Sequence, residues 1–104
     1  MNSPIYRLVI RPEAEAEIAE AAQWYEAQER GLGREFLRAV RAATAGVRCN
    51  PLLYQTIIEE ARRVLVRRFP YSIIYEIHGS DVVVLGCFHS ARDPQEWQGR
   101  ITRE

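Results

Sequence analysis

Arginine is concentrated in one short stretch of this sequence, and its chemistry is the binding of anions. Between Arg62 and Arg68, four of seven residues are arginine and none is acidic. Guanidinium groups are planar, permanently charged donors that suit carboxylates and phosphates. The stretch therefore predicts a patch that docks an anionic partner. The alternative is a half-buried strand along which the arginine stems lie with their charged ends in water.

A second group of candidate residues follows the last predicted strand. His89 could carry a proton near neutral pH, and Arg92 lies three residues further on. For His89 the alternative is a loop histidine that hydrogen-bonds to Asp93 or to the backbone. Trp97, Tyr71 and Tyr75 could stack on a nucleic-acid base, whereas such residues more often pack in a core or under a lid.

Motifs for other chemistries are missing from the sequence. It contains no glycine-rich phosphate loop, no HExxH and no GxSxG. No zinc-ligand spacing is formed by Cys49, Cys87, His78 and His89, so no metal and no cofactor is predicted. The acidic residues cluster on the first helix, where they predict a solvated surface rather than a carboxylate pair for acid–base catalysis.

Length and charge narrow the class of protein. The chain has 104 residues, which predicts a single domain over residues 1–104. Its 14 basic residues are all arginine and balance 14 acidic residues. This balance disfavours nucleic-acid binding through bulk positive charge and predicts no direct sequence-specific binding to DNA. No apolar run approaches the ~20 residues of a membrane span, and the first residues do not form a signal peptide. A cytoplasmic protein without a membrane partner is predicted.

The elements that must position these residues follow from periodicity. Residues 5–10 predict a strand, after which Pro12 begins a helix that continues to about Glu29. A Gly31-Leu32-Gly33 turn then leads to a second helix over residues 34–48. Three strands follow over residues 62–69, 71–77 and 81–88, and their short connections favour an antiparallel meander. Asp93 and Pro94 predict the start of a short last helix.

The order of elements predicts an α+β fold, β-α-α-β-β-β, followed by a short C-terminal helix. The N-terminal helical hairpin packs on one face of a four-stranded, mainly antiparallel sheet. The other face is open, or covered only by the last helix and a partner. Because strand residues alternate in direction, Arg63 and Arg67 should share one side with Leu65. Arg62 and Arg68 should lie on the other side.

Nearly the whole chain resembles the toxin superfamily that includes the gyrase-poisoning ParE toxins and the ribosome-dependent RelE nucleases. The stretches that carry the resemblance are RPEAEAEIAEAAQWYE, GLGREFL, NPLLY, RRFPYSIIYEI, VVVLGCFHSARDP and the closing tryptophan, in this order. The resemblance implies a small α+β toxin of a type II toxin–antitoxin pair. It also implies a cognate antitoxin that wraps the toxin and blocks it.

The residues at the nuclease positions favour the ParE-like branch. In the nuclease branch, RNA cleavage depends on basic residues of the sheet and on a C-terminal tyrosine. The resemblance places Trp97 close to the position of that tyrosine. The cation positions here hold Arg63, Leu65, Ser72 and Arg92. Losing one donor aimed at a phosphate can lower the rate ~10²-fold, so we expect poor or absent RNA cleavage.

The resemblance therefore implies a toxin that inhibits or poisons DNA gyrase, with growth arrest and plasmid stabilisation as consequences. Two alternatives stay open. One is a ribosome-dependent mRNA endonuclease with Arg63, His89 and Arg92 as phosphate clamp and acid–base candidates. The other is a non-toxic homologue that only binds its antitoxin.

Partner binding is expected to use the arginines and the nearby aromatic residues. An acidic, amphipathic antitoxin segment could dock as a helix or add a strand to a sheet edge. The residues predicted to bind a partner are Arg62, Arg63, Arg67, Arg68, Tyr71, Arg92 and Trp97.

Overall fold

The computed structural model describes residues 5–102, apart from the side chains of residues 97 and 102. None of the helices in this range is long and apolar enough to cross a membrane. Across the same residues no group of three or more His, Cys, Asp or Glu could hold a metal ion. The elements, with a 3₁₀ turn at Pro51–Leu53 after α2, are β1 (Arg7–Ile10), α1 (Pro12–Gln28), α2 (Leu32–Cys49), β2 (Thr56–Ile58), β3 (Ala61–Val66), β4 (Tyr71–His78), β5 (Asp81–His89) and α3 (Pro94–Thr102).

Five strands form one sheet in the order β1-β5-β4-β3-β2. β1 runs parallel to β5, and all other neighbours are antiparallel, so the predicted meander of β3, β4 and β5 is confirmed. The predicted count of four strands is wrong, because β2 adds a fifth. Three residues are too few to show a period of two, and β2 is defined by its pairing with β3.

β3 ends earlier than the sequence predicts, at Val66 rather than at residue 69. Arg67 and Arg68 therefore lie in the turn between β3 and β4, where the alternation of strand residues no longer applies. The prediction that they continue the two faces of the strand is wrong for this reason.

The turn between α1 and α2 is closed by a carboxylate. The Gly31 amide donates to both carboxylate oxygens of Glu26 (3.1 and 3.0 Å), and the Gly33 amide donates to Oε1 (3.0 Å). These bonds, the Gly31 bond first, lower the pKa of Glu26. Gly31 has a φ of 89°, a conformation that favours glycine. A Cβ at Gly33 would lie 2.6 Å from the Ala22 carbonyl oxygen, so this glycine lets the two helices approach closely.

The two faces of the sheet carry separate hydrophobic cores. On the helical-hairpin face, α1 and α2 bury side chains that include Ile18, Phe36 and Val40 against strand residues that include Val64, Ile73, Tyr75 and Cys87. On the opposite face, α3 buries Ile101 in a smaller cluster with Ala61, Ile74, Val83, Leu85 and Phe88. Near the end of β3 on that face, Leu65 is 65% exposed. The last helix thus covers part of this face, which is one of the two arrangements that the sequence predicts.

Tyr75 connects β4 to the segment that follows α2 through a hydrogen bond. Its side chain is fully buried on the helical-hairpin face. The Tyr75 hydroxyl donates a hydrogen bond of 2.6 Å to the Pro51 carbonyl oxygen. Burial raises the pKa of Tyr75 to about 12, so the phenol keeps the proton that this bond requires.

Candidate functional site

Consecutive arginines of β3 lie on opposite faces of the sheet, as the strand period requires. Arg62 lies on the helical-hairpin face, where its Nη1 donates to the carbonyl oxygens of Tyr54 (2.6 Å) and Leu52 (3.3 Å). These bonds hold the segment before β2 against the sheet. Arg63 lies on the opposite face. The sequence assigns both residues to partner binding, but the structure gives Arg62 a contact within the fold.

A cleft of about 190 Å³ opens on the face that carries Arg63. Its floor is formed by β3, β4 and β5, and its rim by the loop from β5 to α3. The strand register brings its polar and apolar groups together, because Leu65 pairs with Ser72 and Ser72 pairs with Phe88. We call this site the arginine cleft; it is lined by Arg63, Leu65, Ser72, Ile74, Phe88, His89, Ser90, Arg92 and Pro94.

The two guanidinium groups of the arginine cleft differ in what they already contact. Arg92 Nη1 lies 2.9 Å from Glu96 Oε1 on α3, and the Arg92 guanidinium carbon lies 5.9 Å from the Phe88 ring centroid. The Arg63 side chain is half-buried and makes no hydrogen bond or ion pair within residues 5–102. An anion that enters the cleft meets Arg63 as a free donor, whereas Arg92 must share its charge with Glu96.

His89 is held by its own loop. The Ala91 amide donates to His89 Nδ1 at 2.9 Å, so the neutral ring carries its proton on Nε2. The Tyr71 ring lies edge-on to the imidazole at 5.1 Å. Asp93 does not bind His89; its Oδ1 accepts from the Gln95 amide (3.0 Å) and caps α3. In this state His89 can donate a hydrogen bond to an anion, but it lacks a free lone pair with which to take a proton.

The remaining predicted residues lie away from the arginine cleft or outside the described side chains. Arg67 and Arg68 are exposed in the β3–β4 turn. Tyr71 belongs to an aromatic cluster, with Phe36 at 5.2 Å between ring centroids, and burial raises its pKa. Tyr71 is therefore packed on the helical-hairpin face and Tyr75 is fully buried there, so neither is free to stack on a base. Trp97 lies on α3, but its side chain is not among those described, so its predicted role stays a prediction.

Glu17 on α1 has a role that sequence reasoning missed. β1 pairs only with residues 81–84 of β5, so the backbone of the following residues lacks a neighbouring strand on that side. Glu17 Oε1 accepts from the Cys87 amide (3.0 Å) and from Arg100 Nη1 (3.0 Å). Arg100 Nη1 also donates to the Leu85 carbonyl oxygen (3.1 Å). The prediction of a wholly solvated acidic surface is wrong for Glu17, and no local sequence pattern marks this strand edge.

Among the described side chains, the arginine cleft holds donors for an anion but not the full set of groups that phosphodiester cleavage requires. Cleavage needs a base, an acid and several donors aimed at the phosphate. Leu65 and Ser72, which the resemblance places at two cation positions of the nuclease branch, are uncharged. Arg92 is paired with Glu96, and His89 Nδ1 already accepts a hydrogen bond. Arg63 remains the one cleft guanidinium without a partner in the described part of the chain.

Comparison with known proteins identifies a family and related folds. The family model described as "ParE toxin of type II toxin-antitoxin system, parDE" matches residues 8–94. No curated protein sequence matches. The structure is similar to a chain of the chromosomal ParDE TA system from P. aeruginosa, with a TM-score of 0.73 and 12% identity over 84% of this chain and 98% of that chain. It is also similar to a chain of the toxin–antitoxin complex RelBE2 from Mycobacterium tuberculosis, with a TM-score of 0.60 and 20% identity over 85% of this chain and 94% of that chain.

Proposed function

The chain belongs to the ParE toxin family of type II toxin–antitoxin systems, and from this premise we propose that it inhibits or poisons DNA gyrase in the cytoplasm. A cognate antitoxin neutralises it. Growth arrest follows when the toxin is free, and a plasmid that carries the pair is retained. The toxin acts by binding gyrase, and it performs no reaction of its own.

The observation that favours a gyrase-binding toxin over a nuclease is the set of residues that line the arginine cleft. Among the residues that the structure describes, only Arg63 offers a free guanidinium there, while Leu65 and Ser72 are uncharged and Arg92 is shared with Glu96. A pentavalent phosphate needs several donors at once, and the loss of one can lower the rate ~10²-fold. A protein partner needs no such set, because shape and a few charges suffice to bind it.

An antitoxin partner is supported by the related structures, since ParDE and RelBE2 are both toxin–antitoxin systems. The antitoxin of this chain would cover basic and apolar surface, which the toxin exposes on the α3 face and at the β3–β4 turn. Binding of this kind removes the toxin from its target by mass action.

A gyrase assay with the purified full chain tests the proposal. Increasing toxin should abolish supercoiling of relaxed plasmid DNA or accumulate cleaved DNA, and added antitoxin should restore the untreated pattern. The same preparation must arrest growth when it is expressed alone, which shows that it is active. Growth arrest without any effect on gyrase at saturating toxin would contradict the proposal. If expression causes no growth arrest, the chain is a homologue that only pairs with its antitoxin.

One observation favours a second candidate function, a ribosome-dependent mRNA endonuclease. Arg63, His89 and Arg92 line the same cleft, so a phosphate could contact all three. Toe-printing of ribosome-bound mRNA distinguishes this candidate. Cleavage that is lost in His89→Ala and Arg92→Ala would establish the nuclease, and intact message in the presence of active toxin would exclude it.

A further inference from the structure

The turn between β3 and β4 holds an arginine in a backbone conformation that arginine seldom adopts. The Phe69 amide donates to the Val66 carbonyl oxygen (3.1 Å), which closes a turn around Arg67 and Arg68. Arg68 has a φ of 70°. This left-handed region suits glycine and asparagine better than a long side chain. Strained backbone of this kind persists where the surrounding structure imposes it, and it is enriched at binding sites and switch regions.

The two turn arginines meet a third arginine from α2. They face the helix across a groove of about 450 Å³, which we call the turn groove. Three guanidinium groups and a single carboxylate line the groove, so its net charge is positive. None of the three is ion-paired to any residue in the described range 5–102. The lining residues are Glu35, Arg38, Ala39, Ala42, Arg67 and Arg68.

A second, mainly apolar cleft of about 600 Å³ adjoins the turn groove, and the same two turn arginines line both. Its apolar lining includes Leu65, Phe69, Pro70 and Tyr71. An exposed apolar surface next to charge favours a partner that brings aliphatic side chains. A nucleic-acid backbone supplies charge without such side chains. The pair of clefts therefore fits a polypeptide that is acidic on one side and apolar on the other.

We propose that the β3–β4 turn docks an acidic amphipathic segment of a partner protein. Arg38, Arg67 and Arg68 bind its carboxylates, for which guanidinium groups provide bidentate hydrogen bonds. The neighbouring cleft takes its apolar side chains. Ala39 and Ala42 keep the α2 side of the groove shallow, so a helix can approach closely. This surface meets the arginine cleft at Leu65 and Ser90, which line both, and its binding does not require that gyrase is the target.

A binding assay with the full chain and a synthetic probe tests the surface. The probe is a labelled peptide of about 16 residues, with leucine at helical spacing on one face and glutamate elsewhere. We expect Arg38→Glu to weaken binding about tenfold and Arg67→Glu/Arg68→Glu about 100-fold. Added salt should weaken binding to the unaltered chain. The matched control is Arg41→Glu, an exposed arginine on the same helix that lines a different cleft, and its affinity should stay within about twofold.

Several outcomes would overturn the proposal once circular dichroism shows the variants folded. One is equal peptide affinity in the double variant and the unaltered chain. Another is tight binding of a peptide with the same composition but scrambled order, because charge alone would then explain it. A third is displacement of the labelled peptide by single-stranded DNA at a lower concentration of negative charges than unlabelled peptide requires. That result would assign the surface to nucleic acid.

Arg68→Gly tests whether the backbone conformation of Arg68 lowers stability while its side chain contributes to peptide binding. Glycine adopts a φ of 70° without penalty, so the variant should melt at a higher temperature than the unaltered chain. It should also bind the acidic peptide more weakly, by about tenfold, because one guanidinium is lost. A variant that melts higher and binds the peptide equally well would remove Arg68 from the docking surface.

Discussion

The two faces of the sheet use the same residue types for different purposes. On the helical-hairpin face, Arg62 donates to two backbone carbonyl oxygens and the Tyr75 hydroxyl donates to a third. On the α3 face, Arg63 has no such contact in the described range 5–102, and Leu65 is 65% exposed. The first face is closed by α1 and α2, while α3 covers only part of the second. Whether an arginine supports the fold or remains available to a partner is thus decided by the acceptors that the fold places beside it.

The largest expected effect comes from a substitution that creates a cavity in the core of the closed, helical-hairpin face. Phe36 is fully buried and packs against Tyr25, Phe69 and Tyr71, with ring centroids 5.2–5.3 Å away for all three. Phe36→Ala should lower the free energy of unfolding by about 3–5 kcal/mol. Leu65→Ala on the open face is the matched control and should change it by less than about 0.5 kcal/mol. Urea unfolding measures both, and equal losses would show that the two faces do not differ.

A smaller effect concerns the buried hydroxyl of Tyr75. Tyr75→Phe leaves the Pro51 carbonyl oxygen without its donor and should lower the free energy of unfolding by about 1–3 kcal/mol. The folded pKa is raised from 10.0 to about 12, so the stabilisation is complete below pH 10 and is lost as pH rises through about 12. Tyr75→Phe should remove this loss.

Cys87 must be controlled in that experiment, because burial raises its pKa from 9.0 to about 12 as well. Unfolding is therefore measured in a Cys87→Ala background, with and without Tyr75→Phe. A pH dependence between 10 and 12 that is the same in both proteins would show that Tyr75 does not cause it.

Much of the closed face could be predicted from the sequence. The alternation in residues 71–77 places Tyr71, Ile73, Tyr75 and Ile77 on one side of their strand, and all four contribute to the helical-hairpin core. The Pro12 helix start and the Asp93 cap are local signals, and both are confirmed. β2 was missed because its three residues are too few to show the alternation of a strand, although it pairs with the neighbouring β3. α2 begins at residue 32 rather than 34, in a turn held by the carboxylate of Glu26 from the helix before it.

The surfaces that contact partners could be predicted less well, for a physical reason. Alternation along β3 places Arg62 and Arg63 on opposite faces, but it does not show which of them meets a carbonyl oxygen. Arg38 joins Arg67 and Arg68 only because α2 lies beside the β3–β4 turn. Such groupings depend on how the helices and strands pack together, and the spacing of residues in the sequence does not predict this packing.

The third prediction compares the two neighbouring arginines directly. Arg62→Met keeps the apolar stem but removes the donor to Tyr54 and Leu52, and it should lower the free energy of unfolding by about 1–2 kcal/mol. Arg63→Met should change it by less than about 0.5 kcal/mol. Urea unfolding checks both values. If Arg63→Met is the more destabilising substitution, the distinction between a structural and an available arginine is wrong.

The smallest effect extends the comparison from arginines to carboxylates. Glu26 holds the α1–α2 turn, whereas Glu20 on the same helix is exposed and serves as the control. The pKa of Glu26 is lowered from 4.5, so its contribution is present above pH 4.5 and is lost as pH falls through the lower folded value. Glu26→Gln should therefore lower the melting temperature at neutral pH and flatten its decline under acidic conditions. Glu20→Gln should do neither, and a decline in acid that Glu26→Gln leaves unchanged would place the acid-sensitive carboxylate elsewhere in the fold.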